Sequence, residues 1–116
     1  METIIVTRHQ GLIDWLERQG YNVDDWQAVR HVSTPDQVRG KHVIGVLPLH
    51  LAAEALTISA PEYDIRPEDR GRDLTAEELE DRGCRLVRYT VYRTHELQEL
   101  VASESSMLVG TAVARV

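Results

Sequence analysis

The chain has 116 residues, 42% of them hydrophobic, enough for one packed core, and it reads as a single domain over residues 1–116. Its formal charge of −6 argues against binding to long nucleic acid, whose non-specific affinity comes from many Lys and Arg contacts to phosphate. No apolar run approaches the roughly 20 residues of a membrane span, the Met1-Glu2-Thr3 start lacks the basic region of a signal peptide, and the single Cys84 excludes an internal disulfide and a multi-cysteine zinc site, so a cytoplasmic protein is expected.

Thr3 to Thr7 is β-branched and apolar and predicts a buried strand. Leu12, Trp15, Leu16 and Gln19 follow at helical spacing, and Gly20 reads as the helix stop. Trp26 to Val32 predicts a second strand. Thr34-Pro35-Asp36-Gln37 is then a capping box with proline at the first helical position, and Gly40 keeps that helix short. His42 to Leu47 predicts a third strand. "LPLHLAAEALTISA", residues 47–60, is apolar nearly all round and predicts a helix from Leu49 to Ala60, ended by Pro61 and covered by the sheet on one side and a partner subunit on the other.

Glu62 to Arg66 is read as a short strand, and "RPEDRGRD" as a charged loop. A second capping box, Thr75 to Glu78, opens a helix that Gly83 ends. Arg85 to Arg93 alternates in the manner of a final core strand. Residues 94–116 are read as a C-terminal helix through Leu97, Leu100 and Val101, followed by an edge strand or docking arm.

This alternation of strands and helices predicts an α/β fold, a single Rossmann-like domain whose mainly parallel sheet carries helices on both faces. Ligands in such sheets bind at the carboxyl ends of the strands, where the strand order reverses. Two loops therefore matter most, Thr7 to Gly11 after the first strand and Leu47 to His50 after the third, which become neighbours in a flavodoxin-like order.

Arg8-His9 is an unusual pair at a junction where Asn, Asp, Ser or Gly satisfy turn geometry more cheaply. At the start of a helix Arg8 can hold a phosphate bidentately, His9 can move a proton near neutral pH, and Gly11 lets the backbone approach closely. The alternative is an Arg paired with a nearby carboxylate and a His that fills the loop. His50, after Pro48, can face His9 across the strand ends or simply cap its helix. His31 and His42 fall within strands and read as ordinary half-buried residues.

Arg70 and Arg72 flank Gly71 in the charged loop. They can close over a phosphate, or pair locally with Glu68, Asp69 and Asp73. None of the 5 histidines forms an H-x-x-x-H pair on a helix, so neither a metal site nor a cofactor is expected.

"TRHQG" resembles the R-H-G motif of histidine phosphatases, with the glycine displaced by one residue. A resemblance that spans more of the chain, about residues 4 to 92, rests on "VTRHQGLIDW", "VIGVLPLHLAAEA" and "RGRDLTAEELE" in that order. These segments are similar to a small CRISPR-associated family, the Csx sixteen group.

That resemblance implies a Rossmann-like homodimer related to the domains that sense cyclic oligoadenylates, acting as a ring nuclease on cyclic tetra-adenylate; with no metal-ligand cluster in the sequence, cleavage is expected to be metal-independent. The family's motifs match at Arg8-His9, Leu47-Pro48 and Arg70-Gly71-Arg72, and together with the strand-end reading this gives Arg8 and His9 as expected catalytic residues, with Thr7, Gly11, Leu47, Pro48, His50, Arg70 and Arg72 around the substrate. His50 stands where that family is expected to carry a small polar residue. A non-catalytic sensor or sponge for the same ligand, and a small phosphohistidine enzyme with His9 as nucleophile, are the other two readings.

Overall fold

The computed structural model describes residues 2–94. From His95 onward, the predicted C-terminal helix and edge strand lie outside the described residues. Five strands, β1 (Thr3–Val6), β2 (Gln27–Val29), β3 (His42–Gly45), β4 (Thr57–Glu62) and β5 (Arg85–Tyr89), form one sheet in the order β2-β1-β3-β4-β5. The first four run parallel and β5 is antiparallel to β4. This is the expected Rossmann-like α/β architecture, and its strand order reverses between β1 and β3.

Three helices cover the sheet: α1 (Gln10–Arg18), α2 (Leu49–Ala52) and α3 (Ala76–Asp81). Alternation along the strands divides the core in two. On one face Ile5 and Ile44 pack against Leu12, Trp15 and Leu16 of α1 and against Ala76 and Leu79 of α3. On the other Ile4, Val43 and Ile58 pack with Val38, Leu51, Ala52 and Ala55. Each of these buried Ile, Leu and Val side chains contributes about 1.5 to 3 kcal/mol of burial, so neither face is dispensable.

The buried ring of Trp15 donates its Nε1–H to Glu80 Oε2 at 2.7 Å, and Gln19 reaches the same oxygen at 2.9 Å, which fixes α1 against α3. At the Thr75 cap, the threonine hydroxyl accepts the Glu78 amide while the Glu78 carboxylate accepts the Thr75 amide. The Thr34 signal yields one 3-10 turn, Pro35–Gln37, in which the Gln37 side chain accepts the amides of Ser33 and Thr34.

The predicted helix from Leu49 to Ala60 is corrected. Helix α2 stops at Ala52, and Thr57-Ile58-Ser59 pairs with His42-Val43-Ile44 as β4. Two β-branched residues fit the pleated surface beside β3, and an apolar run carries no period by which helix and strand can be told apart. Pro61 lies beyond the last β3 pair, where β4 is an edge on that side and a missing N–H is tolerated.

Three further strands differ from expectation. The predicted strand at Glu62 to Arg66 is displaced to β4, and the predicted final core strand, β5, is an edge strand that is largely exposed and ends at Tyr89. Strand β3 ends at Gly45 rather than running to Leu47. A Cβ at Gly45 would stand 2.0 Å from the Val6 carbonyl oxygen, and φ is +139°, so β1 and β3 close together at their carboxyl ends only because this residue is glycine.

Candidate functional site

A cleft of about 1050 Å³ opens at the carboxyl ends of β1, β2 and β3. Thr7, Arg8 and His9 enter it after β1, Arg30 and His31 after β2, and Leu47, Pro48 and His50 after β3, while Glu62, Tyr63, Ile65 and Arg72 form the far side. Three consecutive parallel strand ends thus deliver two guanidinium groups and three imidazoles to one cavity. The Thr7 amide donates to the Val29 carbonyl at 3.0 Å, which keeps the first two loops side by side.

His9 occupies the cap position of α1. Its amide donates to Thr7 Oγ1 at 3.1 Å, and its ring Nδ1 lies 2.6 Å from Asp73 Oδ1. Arg39, Arg66, Arg72, Arg82 and Arg85 all have carboxylate partners. Arg8 and Arg30 are exposed and have none among the described residues. No carboxylate among the described residues neutralises Arg8, the alternative considered for it.

Other sequence-predicted site residues stand differently. Gly11 is buried away from the cleft, and a Cβ there would lie 1.8 Å from the Leu74 carbonyl oxygen, so the close approach it permits is to the chain just before α3. Arg70 is exposed and does not line the cleft.

Arg72 does line it, but its Nη2 donates to Glu78 at 2.7 Å and to Asp69 at 3.4 Å, and its Nε donates to the Glu68 carbonyl. These contacts, Glu78 first, raise the Arg72 pKa, and Arg72 in turn is the main reason that Glu78 lies below the usual carboxylate range. Asp69 is buried and takes two hydrogen bonds from Arg82, at 2.6 and 2.7 Å, and one from the Arg66 amide. The Arg82 bonds hold its carboxyl far below its ordinary range. Local pairing, one of the two alternatives for this loop, is thus what Arg72 shows, with Glu68 and Asp69 among its partners.

Arg30 and His31 line the cleft, and Asp73 reaches it through its contact with His9, without having been singled out as functional in the sequence. His31 is not the half-buried strand residue expected, because β2 ends at Val29 and leaves it exposed on the cleft wall. Its signal was positional: the loop after β2 adjoins that after β1 once β2 pairs with β1. Asp73 meets His9 only through tertiary folding, and no local pattern marks it. His42 is as expected, half-buried in β3 with Nδ1 2.7 Å from Thr57 Oγ1.

Among the described residues, no group of three or more His, Cys, Asp or Glu side chains is placed to hold a metal ion, and no helix is long and apolar enough to cross a membrane. No curated protein and no solved structure matches the chain. A family model described as "Putative CRISPR-associated protein (Cas_VVA1548)" matches residues 4–92, which include every residue lining the cleft, and the chain belongs to this CRISPR-associated family.

Proposed function

We propose that the protein is a ring nuclease that cleaves a cyclic oligoadenylate, of the cyclic tetra-adenylate class, and so ends a CRISPR-associated second-messenger signal in the cytoplasm. The family description gives the CRISPR association and names no activity. The activity is argued from the cleft and from the resemblance of residues 4 to 92 to the Csx sixteen group.

One observation carries this reading: Arg8 and Arg30 stand without a carboxylate partner among the described residues, at the ends of adjacent strands, in a chain whose formal charge is −6. One such guanidinium just before α1 and a second after β2, both lining the cleft, favour a phosphate ligand. The cavity, at about 1050 Å³, lies at the top of the roughly 300 to 1,000 Å³ range of small-molecule sites, which favours a ligand larger than one nucleotide.

The chemistry needs little beyond position. A ribose 2′-oxygen attacks the adjacent phosphorus, a bond forms between them, and the bond from phosphorus to the 5′-oxygen breaks. The net proton transfer is from the 2′-hydroxyl to the leaving 5′-oxygen, and the products are linear, with a 2′,3′-cyclic phosphate at one end and a 5′-hydroxyl at the other. Arg8 and Arg30 stabilise charge growing on the phosphoryl oxygens, and His9 takes the 2′-hydroxyl proton.

Incubation with radiolabelled cyclic oligoadenylates, with and without EDTA, tests the proposal. Linear products with 2′,3′-cyclic phosphate ends, formed equally in EDTA, are expected. Ligand that stays bound and intact would make the protein a sponge. Transfer of a phosphoryl group to His9 would make it a phosphohistidine enzyme.

A further inference from the structure

We infer that Asp73 is a positioning residue that holds the His9 imidazole with its proton on Nδ1, leaving Nε2 as the bare nitrogen that accepts the 2′-hydroxyl proton; its catalytic consequence rests on the reading of the cleft given above. A carboxylate oxygen and a bare ring nitrogen would repel each other at 2.6 Å, so the contact between Asp73 Oδ1 and His9 Nδ1 requires a proton on that nitrogen. In free neutral imidazole side chains the proton prefers Nε2. The carboxylate reverses that preference.

Stability alone gives the pair little reason to exist. Its side chains are 57% and 72% exposed, and ion pairs in that setting contribute little to folding. Its position is nevertheless enforced from both sides. His9 is tethered through its amide to Thr7 Oγ1. Asp73 sits between Arg72, tied to Glu78 and Asp69, and the buried Leu74, whose carbonyl rests on Gly11 in the space a Cβ would take. Because Gly11 and Leu74 touch backbone to side-chain-free backbone, the residues just before α1 and just before α3 meet, and those residues carry His9 and Asp73.

Long-range proton–nitrogen NMR of the ¹⁵N-labelled protein at about pH 9, far above the ordinary histidine pKa of about 6.5, reads the tautomer directly. His9 signals are assigned by their loss in His9→Gln. The Nδ1–H form is expected in the native chain and the Nε2–H form in Asp73→Ala, with no change in melting temperature. An Nε2–H form in the native chain, or the same pattern in Asp73→Ala, overturns the inference.

With cyclic tetra-adenylate as substrate, Asp73→Ala should lower kcat by about 10²-fold at unchanged KM, and Asp73→Glu should recover part of that loss. A change confined to KM assigns Asp73 to ligand binding and also overturns the inference. The NMR experiment needs no substrate, so an Nδ1–H signal in a protein that cleaves nothing leaves the pair standing and sinks the nuclease reading alone.

Discussion

Among the described residues Arg8 and Arg30 have no carboxylate partner, and other arginines show what such a partner entails. Arg82 is spent on the buried Asp69 and Arg72 on Glu78, and each would uncover a carboxylate if it turned away. Replacing Arg8 or Arg30 by alanine uncovers nothing among the described residues, so both variants should fold. If either guanidinium meets the phosphoryl oxygens in the transition state, its loss should cost about 2 to 4 kcal/mol, a fall in kcat/KM of roughly 30- to 10³-fold. Arg18→Ala, in the last turn of α1 and away from the cleft, is the control. Equal rates for the Arg8 and Arg18 variants would assign Arg8 to the solvated surface. His9→Ala should slow turnover by about 10²- to 10⁴-fold while binding of the intact ring, measured by calorimetry, stays within a few-fold. Arg8 and His9 were legible because arginine followed by histidine is poor turn chemistry. Arg30 and His31 were not, because a residue just past an edge strand acquires meaning only when the partner strand is known.

Elements whose limits are set by their own side chains were read correctly, and those set by distant pairing were not. The two capping boxes and the apolar stripe of α1 are local, and each stands where the sequence puts it. The Leu49 to Ala60 segment depends on whether Thr57 to Ser59 finds a strand to pair with, and that strand is β3. The segment between β4 and α3 has its own test. Asp69 and Glu78 both have folded-state pKa values below their ordinary 3.8 and 4.5, owing to Arg82 and Arg72 respectively. A depressed carboxyl adds stability that is complete above its unfolded pKa and is lost as pH falls toward its folded value. Melting temperature should therefore hold from neutrality to about pH 5 and fall below about pH 4, and Asp69→Asn should melt lower at pH 7 while losing much of that acid slope. An acid limb identical to the native one would mean that other carboxyls carry it. Gly11→Ala would push a Cβ into the Leu74 carbonyl and should cost about 1 to 3 kcal/mol or more, read by denaturant unfolding.

At the scale of the whole molecule, the fold class and the strand-end position of the cleft followed from the order of elements alone, since a parallel sheet with crossovers has its loops gathered at one end. The basis for a second subunit did not survive in the form expected, because no apolar helix spans residues 49–60. We propose that a different surface serves in its place. Val46, Leu49 and Ile65 are 70%, 76% and 69% exposed; Val46 and Ile65 line the cleft, and Leu49 follows Pro48 at its edge. Single exposed apolar residues need no explanation, but three around one cavity set a rim that water covers poorly. A two-fold axis passing through that rim would bury it against its own copy and bring two sets of Arg8, His9 and Arg30 around a ligand that itself has rotational symmetry. Sedimentation at micromolar concentration should accordingly give twice the chain mass. Leu49→Asp removes about 1.5 to 3 kcal/mol of burial from each side of such an interface, so the dimer should dissociate at concentrations on the order of 10²-fold higher or more. Since Leu49 is exposed, the same substitution should leave the melting curve of the isolated subunit unchanged. A native protein that sediments as a monomer both with and without cyclic tetra-adenylate would remove the shared site and require one copy of Arg8, His9 and Arg30 to do the work alone.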